Sequence, residues 1–415
     1  RYSAASGNWN ATTTWATTSG GTAGASVPVE GDLVFIDRNR TVTVTANAAC
    51  GSLQLGRTGS GTSGTGTLTM NANISLSVNG NVTMGGSGNT GSIGTINFAA
   101  GSSISVNNLT LGNAGATPAR GVITMTSGGT LTVNGDITVN TVTGNTWTPG
   151  TGTLVLANTT TLPSTIFTSF NNLTINSGAT VTSGASFSVG GTMTVNGSFV
   201  PGATTHVISG AGTLTGSGSI DVNLVSATAL TSQYSVTTKT LTNLMVDYAA
   251  AGNQSMFADT YGAIKTSGSG TKTLLGITTI NNNITIGSGT TLNAATFTSS
   301  VKGNWENNGT FTPSTSTIQF TGASAQHIIG TSSSTFNNLT INNSTGVSLS
   351  GSLDATVNGT LTLTSGLVTP NANSFTVGSA GTISGASSTS YINGALNRVI
   401  TGTTATSFPV GKGGN

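Results

Sequence analysis

Three consecutive stretches of this chain repeat at a nearly fixed step, and that periodicity restricts the fold more than any other feature. GTLTMNANISLSVNGNVTMG at 66–85, GTINFAAGSSISVNNLTLG at 94–112 and GVITMTSGGTLTVNGDITVN at 121–140 make Leu68, Ile96 and Ile123 equivalent, at steps of 28 and 27 residues. Val78, Val106 and Val133 repeat the same two steps. A period held at independent positions marks a repeat architecture, in which each unit buries its apolar face against its neighbours.

Within each copy apolar residues alternate with Thr or Ser, as in Leu68-Thr69-Met70, Val82-Thr83-Met84 and Ile137-Thr138-Val139. Alternation of period two is the pattern of a half-buried strand. Gly, Asn and Ser interrupt it too often for helices. The pattern predicts an all-β chain folded as a parallel β-helix, a β-solenoid with about three short strands per coil of about 28 residues. The handedness of crossover connections favours a right-handed coil. Outward positions such as Ser77, Ser105 and Thr132 would form polar columns, while inward aliphatics form a narrow core. Asn79, Asn107 and Asn134 directly follow the repeating valines, so their amides are placed to stack as a ladder. Gly80, Asn108 and Gly135 come next and predict a corner in the left-handed backbone region.

A longer repeat lies downstream. WTPGTGTLVL at 147–156 matches FTPSTSTIQF at 311–320, and FNNLTIN at 170–176 recurs at 336–342. Tyr261-Gly262-Ala263-Ile264 reads as a degenerate copy of the same start. The expected organisation is an N-terminal cap at 1–30, regular coils at 31–145, a module at 146–240, an irregular module at 241–310 and a matching module at 311–415. The cap reading rests on Trp9 and Trp15, because a solenoid end must cover its open strand edges. Their flat rings are also candidates for stacking on carbohydrate.

Composition then removes whole classes of function. Charged residues make up 5% of the 415, against about 25% in an ordinary soluble domain. A formal net charge of +2 cannot build a field for phosphates, so nucleic acid is not an expected partner. No apolar run is long enough for a membrane-spanning helix. The single cysteine, Cys50, allows no internal disulfide and no cysteine-based zinc site.

Groups able to do chemistry are few. His206 and His327 lack a carboxylate or second histidine at ligand spacing, and His206 is expected to point outward from a strand. Glu30, Asp32 and Asp37 could hold calcium, but Arg38 and Arg40 adjoin them and compete for the same charges. The one charge-dense stretch, 239–272, carries Lys239, Asp247, Asp259, Lys265 and Lys272 with Tyr248 and Tyr261. Structural ion pairs are the expected role there. GSGTSG at 59–64 and GSGNTG at 86–91 satisfy a phosphate-loop pattern without a following helix, so they read as turns. The expectation is a chain that is not an enzyme and needs no cofactor or metal.

GNWENNGTFTPSTSTIQFTG at 303–322, STFNNLTINNSTGVSLSG at 334–351, VNGTLTLTSGLV at 357–368 and SYINGALNRVI at 390–400 with FPVGKGG at 408–414 form a serial arrangement. That order resembles the large repetitive cell-surface proteins that Bacteroidetes export through the type IX secretion system. SGNWNATTTW and VPVEGDLVFIDRNRTVTVTANAACGSLQLG at 27–56 resemble their amino-terminal segment. The resemblance implies an exported protein at the cell surface or outside the cell, and it brings no catalytic motif. Family members end in a sorting domain that is not recognisable here, so the natural chain is expected to continue. The resulting expectation is a non-enzymatic extracellular structural protein, the rod of an adhesin or a fibre subunit, partnered by itself or by other surface components. The alternatives are a secreted β-helix that binds polysaccharide through Trp9 and Trp15 or the 239–272 face, or that less plausibly cleaves it, and, more remotely, an ice-binding surface of Thr rows.

Overall fold

The computed structural model describes residues 1–57, 64–86, 91–112, 119–140, 143–402 and 406–412. They divide into two compact units, Arg1–Thr215 with Ser235–Lys239, and Gly216–Tyr234 with Thr240–Asn415. The division falls within the segment 146–240 that the sequence groups as one module.

Both units are built from parallel strands. In the first unit the chain visits three sheets in turn, as in Ser52–Arg57, Thr65–Met70 and Ser75–Val78, then returns to the first sheet at Val82–Met84. Each strand pairs with its equivalent one coil on. Leu68 lies opposite Ile96 and Ile96 opposite Ile123, while Val78, Val106 and Val133 lie in line, as the period requires. The inward residues of these strands, among them Leu68, Leu76, Ile104 and Val133, are buried to within 2% of full cover. Their neighbours Ser77, Ser105 and Thr132 form an outward column. This is a parallel β-solenoid with three strands per coil.

The step of 28 belongs to the first coils alone. Ile123 pairs with Trp147 and Leu156 with Ile175, which shortens the coil to 24 and then 19 residues. In the second unit Ile264 pairs with Ile284 and Ile284 with Trp305, at steps of 20 and 21. The sequence between first-sheet and second-sheet strands is longer in the early coils, at 58–64, 85–92 and 112–119, most of which lies outside the described residues.

The long repeat proves to be a pair of adjacent strands with their aromatic seat. Thr153–Leu156 pairs with Asn172–Ile175 as Thr317–Phe320 pairs with Asn338–Asn342. Trp147 and Phe170 meet at 6.1 Å, and their counterparts Phe311 and Phe336 at 5.7 Å. Tyr261, the degenerate counterpart of Phe170, is also fully buried.

At the amino end, Tyr2–Ser3 pairs parallel with Leu33–Asp37 and antiparallel with Trp15–Ala16. The antiparallel strand turns the chain back over the first coil. Trp9 and Trp15 pack edge to face at 5.2 Å beneath it, with Trp15 Nε1 donating to the Trp9 carbonyl at 2.7 Å.

The expected left-handed corner at Gly80, Asn108 and Gly135 is not formed, since none of the three has positive φ. Glycine is needed at 80 and 135 for a different reason. A Cβ at Gly80 would strike the Ser52 hydroxyl and the Gly51 carbonyl, and one at Gly135 would strike the Asn108 side chain. The left-handed column lies at Gly56, Gly85 and Gly112, with φ of 75°, 79° and 79°, where first-sheet strands end.

An ionised side chain placed among the inward aliphatics has no partner. Val106→Asp or Ile123→Asp is expected to destabilise the first unit by about 3–5 kcal/mol. Residue-resolved hydrogen exchange should show the loss in strands 75–78, 103–106 and 130–133, with protection in the second unit unchanged.

Candidate functional site

Among the described residues no group of three or more His, Cys, Asp or Glu side chains is placed to hold a metal ion. Glu30 Oε1 accepts from Asn79 Nδ2 at 2.6 Å, Asp32 faces Arg1 at 3.7 Å, and Asp37 is buried. The three acidic residues considered for calcium therefore serve separate contacts. His206 lies in a turn ahead of the strand Ile208–Gly216, not on an outward strand position, with Nδ1 3.0 Å from Ser183 Oγ. His327 Nδ1 lies 2.8 Å from Ser348 Oγ on the next coil. Cys50 is buried, and desolvation, aided by Asp32, pushes its thiol up to about 12. The phosphate-loop matches at 59–64 and 86–91 lie largely outside the described residues.

Trp9 and Trp15 are 2% and 0% exposed, so neither ring offers a face to a ligand, and their candidacy as sugar contacts is withdrawn. Asn79, Asn107 and Asn134 stand at equivalent corner positions, but their side-chain amides do not bond one another. Asn79 reaches Glu30, and Asn134 Nδ2 reaches Ser105 Oγ at 3.0 Å and the Val106 carbonyl at 2.9 Å. The amide-to-amide contact between coils occurs two residues after Asn79 and one after Asn107, where Asn108 Nδ2 donates to Asn81 Oδ1 at 2.9 Å, and Asn108 Oδ1 accepts from the Asp136 backbone N–H at 2.7 Å.

The charge-dense stretch belongs to the second unit except for Lys239, and pairing explains its arrangement. Asp221, Asp247 and Lys265 are directly opposite one another on three successive strands. Lys265 Nζ lies 2.7 Å from Asp247 Oδ2, and Ser267 Oγ donates to Asp247 Oδ1 at 2.8 Å. Asp221 is left beside a second carboxylate. Burial, and then Asp247, push it up to about 6, with Lys265 offsetting part of the rise.

Lys272 is fully buried and faces inward. It donates to the Ala250 and Gly252 carbonyls at 2.8 and 2.9 Å and to Gln254 Oε1 at 2.8 Å. Gln254 in turn donates to the Val222 and Leu224 carbonyls of the preceding coil and accepts from the Ala250 amide. Desolvation pulls Lys272 down to about 8. The same clamp recurs at Gln326, whose Nε2 reaches the Val301 and Gly303 carbonyls while Oε1 accepts from Gly322 N and Asn343 Nδ2. These clamps were missed in the sequence, although Gln or Lys on an inward register position is a readable sign.

The surface carries several concavities among the described residues, two of which have amide-rich linings. In the second unit a cleft of about 450 Å³ is lined by Asn243, Asn281, Asn282 and Asn283 with Met245 and Thr285. On the outward face of the first sheet a smaller one of about 280 Å³ lies between Phe35, Gln54, Asn81 and Thr83, with Leu33 at its rim. Neither lining contains a His, Cys, Asp, Glu or Lys side chain among the described residues.

No protein-family model, curated protein or solved structure matches this chain. No helix among the described residues is long and apolar enough to cross a membrane.

Two outcomes follow from the buried polar groups. Lys272→Met leaves carbonyl acceptors at the 250–254 corner without their donor, and the second unit should lose roughly 2–4 kcal/mol in urea unfolding. For Asp221, the folded value of about 6 lies above the ordinary carboxylate value of 3.8, so its stabilising contribution is full below about pH 4 and is lost as pH rises through about 6. The urea midpoint of the second unit should fall across that window, and Asp221→Asn should flatten the dependence.

Proposed function

We propose that this chain is a non-enzymatic extracellular structural protein, a segment of a surface adhesin or the subunit of a surface fibre. The observation that carries the reading is the outward face of the first-unit coils, where uncharged side chains stack in register over successive turns of a self-supporting backbone ladder. One column runs Ser77, Ser105, Thr132 and Val155, and another runs Gln54, Thr83, Thr110 and Thr138. Such a surface is built by repetition and gains length without new chemistry. The paucity of titratable clusters supports the same reading, as does the resemblance to repetitive proteins exported through type IX secretion. Val155 interrupts the first column, and its Ser and Thr residues do not form the uniform rows that ice recognition needs.

Self-association or contact with other surface components is the expected partnership. Immunogold labelling of intact, unpermeabilised producing cells should place the chain at the surface or on fibres, and deletion should reduce attachment to a solid support. Labelling that appears only after permeabilisation would overturn the proposal.

A further inference from the structure

Beyond the structural role, we infer that the cleft of the second unit at Met245, Ala263, Asn282 and Asn283, with the outward column that leads from it, is a binding site for a neutral polysaccharide. The cleft exists because side chains shrink there. Met245 lies opposite Ala263 on the sheet, and Asn283 follows one coil on, just before Ile284, which pairs with Ile264. The Ala263 methyl therefore lies between two longer outward side chains. Gly262 deepens the gap, because a Cβ there would strike the Asn243 backbone and the position must stay without a side chain. The space of about 450 Å³ lies wholly within the second unit.

The polar groups around that gap are oriented by the solenoid itself. Asn283 Oδ1 accepts from Asn304 N at 2.8 Å, and Asn304 Oδ1 accepts from His327 N at 2.9 Å. Each bond fixes an amide plane and occupies its oxygen, and among the described residues neither Nδ2 finds an acceptor or is buried. Donors are thus repeated at the coil spacing of about 4.8 Å, and His327 and Ser348 carry the column further. Asn243 and Asn282 are exposed, and their side-chain amides are bonded to no other described residue, so they offer acceptors as well as donors. A polymer with hydroxyls on every unit can meet such a row repeatedly. Met245 and Ala263 supply a small apolar patch for the C–H face of a sugar ring, and the amides suit its rim. Charge selects a neutral polymer. The next outward column runs Asp221, Asp247, Lys265, Thr285 and Glu306. Lys265 is paired with Asp247 at 2.7 Å, and Lys302 is held on Asn281 Oδ1 at 2.9 Å. Carboxylates therefore outnumber cations around the cleft, and an acidic polymer would lose hydration without a net attraction.

The test is affinity gel electrophoresis of the full chain against soluble neutral polysaccharides (β-glucan, mannan, xylan and galactan), with alginate and polygalacturonate as acidic controls. It reads binding alone, so its failure would leave the structural role standing. Retardation by at least one neutral polymer is expected. Asn243→Ala and Asn282→Ala should each weaken it about two- to tenfold with the urea midpoint unchanged. Ala263→Phe, which fills the cleft, should abolish it, and the two asparagine variants keep the test decisive if that protein folds poorly. Gln54→Ala, on the outer face of the first unit, should change nothing. No retardation by any neutral polymer, equal or stronger retardation by the acidic polymers, or binding left intact in both asparagine variants would overturn the inference.

Discussion

The inner strands of each sheet satisfy their backbone hydrogen bonds on the coils before and after them, and that dependence governs the rest of the structure. A strand of three or four residues, such as Val82–Met84 or Ser103–Val106, has no stability alone. Placed between two in-register neighbours it has donors and acceptors met on both edges, and its inward side chains close the core. A net gain of about 0.5–1.5 kcal/mol per hydrogen bond and about 1.5–3 kcal/mol per buried aliphatic accumulates coil by coil. The outer face contributes little to this sum. It can therefore carry Ser, Thr, Asn or an occasional aromatic without cost to the fold, which makes it the natural place for recognition.

The same dependence explains why polar residues enter the core at a few corners. Where the chain bends between strands, carbonyls of adjacent coils point inward with no strand partner. Gln254 and Gln326 each meet two such carbonyls, and Lys272 and Asn343 tie each clamp to the next coil. A buried lysine is tolerable because its three donors find three oxygens. At the amino end the constraint is met differently, by an antiparallel strand and two edge-packed tryptophans that close the first coil.

What the sequence made legible was the periodic part of this account. Register at Leu68, Ile96 and Ile123, outward placement of Ser77, Ser105 and Thr132, and the shared structure of 147–176 and 311–342 follow from alternation, which reports directly on burial. The shortening of later coils was not legible, because connections between strands can change length without disturbing the alternation within them. Gly80 and Gly135 show a second limit. Composition marks a constrained backbone, but crowding from the next coil and a left-handed φ call for the same residue. Trp9 and Trp15 show a third, since an aromatic residue outside the period carries no sign of which way it faces. Phe35, by contrast, lies within the alternation, and its outward direction follows from inward Val34 and Ile36 on either side.

The central claim is the in-register stacking of successive coils, and it can be measured on the outward column. Spin labels on Ser77→Cys and Ser105→Cys would occupy directly opposed positions on neighbouring coils, about 5 Å apart along the sheet. Buried Cys50 remains unlabelled. Electron paramagnetic resonance of the doubly labelled chain should show strong spin–spin broadening that is absent from each single label. Two independent, unbroadened labels would contradict the stacking and with it the account of core, corners and outer face.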